Sequence, residues 1–143
     1  MSVEIEFPFE FVVAGTALSM QAKLPTRIEA WKEQIRSAAR PLLPEGHWAC
    51  PEPVQVTIYC FPDRTMDGDL DNIVKPILDA LSRFMYLDDK QVERLLIQKF
   101  EPMKAVEFVH PSPTLEKAAL FGGPRLYIKI NLAPTTIEVS GDV

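Results

Sequence analysis

The spacing of apolar and polar residues along the chain predicts alternating strands and helices. Apolar side chains at every second position are typical of half-buried strands, and they occur at residues 4–13, 54–60, 92–100 and 124–132. Apolar side chains at helical spacing predict two amphipathic helices, one that follows Pro25 and one over residues 70–84. The order β-α-β-α-β-β predicts an α+β domain with a small mixed or antiparallel sheet and two main helices.

Local signals predict how the two helices begin. Thr26 and Glu29 have the spacing of a capping box at the start of the first helix. Asp69 or Asp71 is the expected N-cap of the second helix. Pro76 lies inside the second helical pattern, where its missing N–H removes one hydrogen bond, so we expect a kink or a late start of that helix.

The 143 residues are expected to form a single domain over residues 1–132. An irregular insertion is expected at 101–121, because residues 101–124 contain four prolines and a pair of adjacent glycines. The tail at 133–143 is expected to be flexible. The chain has two cysteines, no pattern of a secretory signal and no apolar run long enough to cross a bilayer, which predicts a cytoplasmic protein without a membrane partner.

A dense group of carboxylates within residues 69–91 is the main chemical signal. Five aspartates surround one lysine in a largely apolar segment: Asp69, Asp71, Asp79, Asp88 and Asp89 around Lys75. Two carboxylates about 4–5 Å apart repel each other by roughly 3–4 kcal/mol at an effective dielectric constant of about 20. A hard divalent cation with oxygen ligands relieves such repulsion, so the segment predicts a magnesium-dependent site for phosphodiester chemistry.

The spacing of these residues predicts part of their arrangement. Asp71, Lys75 and Asp79 follow one another at intervals of four, so they line one face of the helix and can pair along it. Asp88 and Asp89 come near the far end of the helix, and they can reach its start only from across a sheet or from another subunit. Single members of the set have structural explanations as helix caps, surface ion pairs or a turn, but the complete set favours a functional site.

The segment DLDNIVKPILDAL at 69–81, followed by LDDKQV at 87–92, resembles the motif of the RusA family of Holliday junction resolvases. The resemblance extends to the preceding strand, VQVTIYCFPD, to the following strand with Lys99, and to GGPRLYIKINL at 122–132. It covers residues 50–100 and 122–132 well and the N-terminal third loosely. It implies a RusA-like fold and a homodimeric, magnesium-dependent endonuclease of bacterial or phage origin. Such an enzyme works at the nucleoid and cuts four-way DNA junctions by paired symmetrical nicks.

The same resemblance implies roles for individual residues. The metal ligands would be Asp69, Asp71 and Asp89, with Mg²⁺ as the ion and Mn²⁺ as a substitute, and Lys75 would assist catalysis. The residues that would support these groups are Asp79, Asp88 and Asn72. Because the net charge is −5, the surface that contacts DNA phosphates must be local, and its candidates are Arg64, Lys90, Arg94 and Lys99.

Two alternatives to junction resolution stay open. The loop that precedes the motif, DRTMDGDLDN, has one cation where family members often carry a basic run, and the whole chain is acidic. The alternatives are another metal-dependent nuclease for flaps, forks or RNA, and a catalytically silent DNA-binding or phage protein on the same fold. For a resolvase, paired nicks across a two-fold junction need two sites related by a two-fold axis, which predicts a homodimer.

Overall fold

A mixed sheet of four strands forms the centre of the fold. The computed structural model describes residues 3–20, 24–66 and 68–141. Its elements are β1 (Phe9–Ala14), α1 (Pro25–Ala39), β2 (Val54–Phe61), α2 (Leu70–Leu81), β3 (Val92–Lys99), α3 (Pro113–Leu120) and β4 (Arg125–Leu132), with 3₁₀ turns at Arg40–Leu42 and Asp89–Gln91. The strands lie in the order β1-β4-β2-β3. β4 is antiparallel to both of its neighbours, and β2 and β3 are parallel. The predicted α+β class and mixed sheet are confirmed.

α1 and α2 cover one face of this sheet. The alternation along β2 buries a row of four side chains on that face, which are Val54, Val56, Ile58 and Cys60. Both helices contribute buried residues to the same core: Trp31, Ile35 and Ala39 from α1, and Ile73, Ile77, Ala80 and Leu81 from α2. Because its apolar side is held against the sheet, α2 keeps Asp71 and Lys75 exposed to solvent.

Aromatic side chains cover the opposite face of the sheet. Tyr59 on β2 stacks on Tyr127 of β4, with ring centroids 5.6 Å apart. Phe61 stacks on Phe100 at 5.1 Å, and Phe108 from the predicted insertion packs edge-on against Phe100 at 5.4 Å. The insertion therefore adds a second, smaller hydrophobic cluster to the fold.

The third helix, α3, lies within the segment that the sequence predicted to be irregular. Its start carries a clear local signal, since the Ser112 hydroxyl accepts a hydrogen bond from the Leu115 N–H at 3.1 Å and Pro113 follows the cap directly. Ala118 is fully buried against the aromatic cluster. The predicted order of elements therefore lacks α3. The prolines of this segment predicted an irregular structure, although the helix is short and begins with a capping serine.

Several predicted boundaries differ from the structure. β1 begins at Phe9, not at residue 4, because Pro8 has no N–H to donate to the sheet. The capping box at Thr26 and Glu29 is wrong, since the N-cap of α1 is Leu24 and no side chain caps the helix. Residues 133–141 of the predicted flexible tail form neither helix nor strand, and its last two residues lie outside the described part of the chain.

Pro76 lies inside α2, and the hydrogen bond that it removes is replaced from another loop. Proline at this position leaves the carbonyl of Asn72, four residues earlier, without its helical donor. The backbone N–H of Met20 donates to this carbonyl at 2.9 Å. Pro76 thereby allows the loop after β1 to attach to the first turns of α2.

Candidate active site

Two carboxylates at the start of α2 have no partner in the part of the chain that the structure describes. Asp69 occupies the N-cap position with an extended backbone, but its side chain makes no capping hydrogen bond. Asp71 lies in the first turn and is exposed, and it forms no hydrogen bond or ion pair with another described residue. The expected N-cap position is confirmed for Asp69, whereas the expected use of its carboxylate as a cap is wrong. Among the described residues, no protein cation neutralises either carboxylate.

Lys75 pairs with two acids further along the helix. Its ammonium lies 2.9 Å from Asp79 Oδ1 and 3.5 Å from Asp89 Oδ2. The hydrogen bond that Lys75 donates to Asp79, with a smaller contribution from Asp89, raises the pKa of Lys75 above its ordinary value. Of the two pairs that the spacing allowed, Lys75–Asp79 is formed and Asp71–Lys75 is not, because Asp79 and Asp89 together attract the ammonium towards their side.

The side chain of a buried tyrosine, Tyr86, contacts Asp89. The chain turns back after α2 and buries Met85 and Tyr86 completely. The Tyr86 hydroxyl lies 3.1 Å from the carbonyl oxygen of Leu78 and 3.3 Å from Asp89 Oδ1. Burial, followed by the charge of Asp89, raises the pKa of Tyr86 well above its ordinary value. The hydroxyl therefore stays protonated and serves as a donor to these acceptors.

The turn that carries Asp89 is fixed by its neighbours in sequence. Asp88 caps this turn by accepting a hydrogen bond from the Lys90 N–H at 2.8 Å. The Gln91 side chain accepts from the Asp88 N–H at 2.8 Å and donates to the Cys50 carbonyl at 2.7 Å. Asp88 and Gln91 thus position Asp89 by shaping its backbone and tying the turn to the segment before β2.

One network of charged side chains lies beside the middle of α2 and consists of Lys75, Asp79 and Asp89. The other two acids, Asp69 and Asp71, lie at the start of this helix. Asp71 precedes Lys75 by four residues, which corresponds to about 6 Å along a helix axis. Among residues 3–20, 24–66 and 68–141, no group of three His, Cys, Asp or Glu side chains lies close enough together to hold a metal ion. The carboxylate oxygens have the chemistry that Mg²⁺ prefers, and their role as ligands stays a prediction.

The four candidate DNA-binding residues flank the predicted site residues in the sequence. Arg64 is in the loop before α2 and its side chain is 87% exposed, with Asp63 Oδ1 at 3.6 Å. Lys90 follows Asp89 and is exposed. Arg94 and Lys99 are on β3, where Arg94 is exposed and Lys99 pairs with Glu101 at 3.2 Å. Three of the four predicted cations are therefore open to solvent.

Two residues that shape the site were missed by the sequence analysis. Neither Tyr86 nor Gln91 is among the predicted site residues, although Gln91 belongs to the segment LDDKQV that carries the family resemblance. Their contacts to Asp89 and to Cys50 join segments that no local pattern connects. Asn72, predicted to support the metal ligands, contributes its backbone carbonyl to the loop after β1.

Comparison with known families gives one match. The family model described as endodeoxyribonuclease RusA matches residues 10–109, which run from the second residue of β1 past the end of β3 and contain every predicted site residue. No curated protein gives a significant match to the chain. Within the described residues, no helix is both long and apolar enough to cross a membrane.

Proposed function

This chain belongs to the RusA family of endodeoxyribonucleases, and on that premise we propose that it resolves four-way DNA junctions by magnesium-dependent, paired nicks. The main support is the pair of carboxylates at the start of α2, which have no partner within residues 3–20, 24–66 and 68–141. Neither carboxylate caps the helix or pairs with a cation of the described residues, so beyond the favourable field of the helix N-terminus the fold makes no specific use of them. Their repulsion is relieved when a divalent cation binds, as a metal-dependent nuclease requires.

Asp69, Asp71 and Asp89 would hold the ion. A bound Mg²⁺ would activate water and stabilise the charge that develops on the cleaved phosphate. Lys75 would add a second positive charge beside that phosphate, because Asp79 and Asp89 hold its ammonium in place. The two carboxylates raise the pKa of Lys75, which supports a role for this group as a cation at neutral pH.

A homodimer would supply two such sites related by a two-fold axis. β3 forms one edge of the sheet, so its outer side offers backbone N–H and C=O groups to a further strand. Its neighbouring residues Leu95 and Leu96 are 41% and 47% exposed and lie on opposite sides of the strand. An exposed apolar edge of this kind fits pairing with a second copy. Sedimentation analysis of the protein against a Leu96→Lys variant tests this part of the proposal.

A nicking assay tests the activity. We expect the protein with Mg²⁺ to cut labelled immobile and mobile four-way junctions in pairs and to leave linear duplex intact. Asp71→Asn should lose at least about a hundredfold in cutting rate, because a metal ligand is removed. Its junction binding should be retained or improved, because repulsion between the carboxylate and phosphate disappears. Glu116→Gln is the control, since it removes the same charge from an exposed side chain of α3.

Other results would favour the alternative functions. Preferential cutting of flaps, forks or RNA would replace the junction as substrate and keep the metal site. Tight binding to both junctions without cutting at any Mg²⁺ or Mn²⁺ concentration would favour the catalytically silent protein. Loss of folding in Asp71→Asn, seen by circular dichroism, would show that the acid is structural.

A further inference from the structure

A cleft of about 380 Å³ opens beside the start of α2. It lies between the loop after β1 and residues 62–66, and its floor is Ile73 of α2. Its walls combine apolar and polar side chains, which include Ala17, Met66, Thr16, Thr65 and Arg64. Its volume lies within the range of ordinary ligand sites.

The cleft is adjacent to the predicted metal ligands. Gly68, which lines it, directly precedes Asp69, and the N–H of Ile73 donates to the Asp69 carbonyl at 3.1 Å. A Cβ at Gly68 would lie 3.2 Å from the Ile73 side chain, so the backbone of the loop packs closely on the floor of the cleft. A DNA strand whose phosphate lies at Asp69 would therefore place a neighbouring nucleotide at the mouth of the cleft.

Hydrogen bonds hold the wall formed by the loop after β1. The Gly15 N–H donates to the Pro124 carbonyl at 2.9 Å at one end of the loop. At the other end, the Met20 N–H donates to the Asn72 carbonyl, which Pro76 has left free. A site whose walls are fixed before binding loses less free energy in ordering them.

The chemistry of the walls fits a flat, uncharged ring with a polar edge. Among the described lining residues, an anion would meet the Asp63 carboxylate together with the guanidinium of Arg64, and these two groups already lie 3.6 Å apart. Apolar contacts from Ala17, Met66 and Ile73 suit the faces of a ring, and Thr16 and Thr65 can donate to or accept from its edge. Arg64 can in addition stack on an exposed ring face.

Resting on the proposed nuclease function, we propose that this cleft receives a nucleobase that turns out of the DNA stack next to the cleaved phosphate. Unstacking is least costly where base pairing is already interrupted, as at the exchange point of a four-way junction. The contacts around the ring edge would then distinguish one base from another. The cleft would make the cut depend on the local sequence as well as on the branched shape of the DNA.

Fluorescent bases test this inference without relying on cutting. Junctions carry a single 2-aminopurine or pyrrolo-cytosine at successive positions around the exchange point, and the wild-type protein is added in EDTA. We expect a rise in fluorescence, which reports unstacking, at one position next to the cut mapped in Mg²⁺. Ala17→Leu, which fills the cleft, should lose this rise and bind the junction about tenfold more weakly, the value of one stacked base.

Two further variants make the result decisive. Ala30→Leu is the matched control, because it makes the same substitution on the exposed side of α1 and should keep the rise. Arg64→Ala should reduce the rise without endangering the fold, because this side chain is 87% exposed. No rise at any position, or a rise that both cleft variants keep, would overturn the inference. If the wild type cuts no branched DNA, the proposed function fails on its own, and the fluorescence still reports whether a base enters the cleft.

Discussion

At the start of α2 two carboxylates have no partner among the described residues, whereas further along the helix two carboxylates share one ammonium. Asp79 and Asp89 are held by Lys75, and Asp89 also contacts a buried tyrosine. The protein therefore fixes the second pair of acids with its own groups, whereas Asp69 and Asp71 are proposed to be neutralised by an external cation. Under the proposed function, Asp79 supplies position only, Asp69 and Asp71 supply affinity for a cation, and Asp89 does both.

The largest effects should come from the acids themselves. Asp79 and Asp89 both contact Lys75, but of these two acids only Asp89 is predicted to bind the metal. Asp89→Asn should reduce junction cutting at least about a hundredfold, as a lost metal ligand does. Asp79→Asn should reduce cutting only about tenfold, because it weakens the positioning of Lys75. Single-turnover nicking rates of both variants check this, and equal losses would contradict a division of roles between them.

Removal of the shared cation should have the next largest effect. Lys75→Met should lower the cutting rate about a hundredfold at every pH from about 7 to about 9, because the positive charge is absent throughout. In the wild type, the stabilisation from charged Lys75 is complete below its ordinary pKa of 10.5 and is lost only as the pH rises through its raised value. Lys75→Arg, which keeps a cation, should recover part of the rate. A pH–rate profile that falls below pH 9 in the wild type and is flat in Lys75→Arg would show that the lysine must change its protonation state.

A smaller effect is expected for the residue beneath Asp89. Tyr86→Phe removes a hydroxyl that lies 3.3 Å from Asp89 Oδ1 and keeps the buried ring. The Mg²⁺ concentration for half-maximal cutting should rise about tenfold, with a smaller change in the maximal rate, because the ligand loses a positioning contact. Urea unfolding should show a loss of about 1 kcal/mol. An unchanged Mg²⁺ dependence would show that the tyrosine only stabilises the fold.

The smallest effects concern stability and compare two aspartates at N-cap positions. Asp88→Ala should lower the free energy of unfolding by about 1 kcal/mol, because its carboxylate accepts a hydrogen bond from the Lys90 N–H. Asp69→Ala should change it by less than about 0.5 kcal/mol, because no capping hydrogen bond is lost. Chemical denaturation of both variants provides the measurement. A larger loss for Asp69→Ala would show that its carboxylate is needed for folding.

Periodicity predicted the parts of the fold that depend on one face of one element. The core strand β2, the solvent-exposed acids of α2 and the N-cap position of Asp69 all follow from spacing within a short segment. Asp89 contacts Lys75 because the chain reverses its direction between α2 and β3. The spacing of residues alone did not decide how Asp89 would reach the helix.

Other features depended on contacts between distant segments. Pro76 predicted a disturbed helix, but its replacement donor, Met20, is far away in the sequence. The use of the carboxylates could not be read from their positions either, since Asp69 and Asp88 occupy similar cap positions and only Asp88 makes the capping bond. The side-chain geometry that decides between a cap and a free ligand appears only when the neighbouring backbone is in place.

Arg125, at the start of β4, joins the insertion to the sheet. Its guanidinium donates to the carbonyls of Ala118 at 2.7 Å and Ala119 at 3.0 Å and lies 4.6 Å from the centre of the Phe61 ring. This attachment is on the aromatic face of the sheet, whereas α2 and its acids are on the other. Substitutions within the insertion should therefore disturb the aromatic face of the sheet more than the acids of α2.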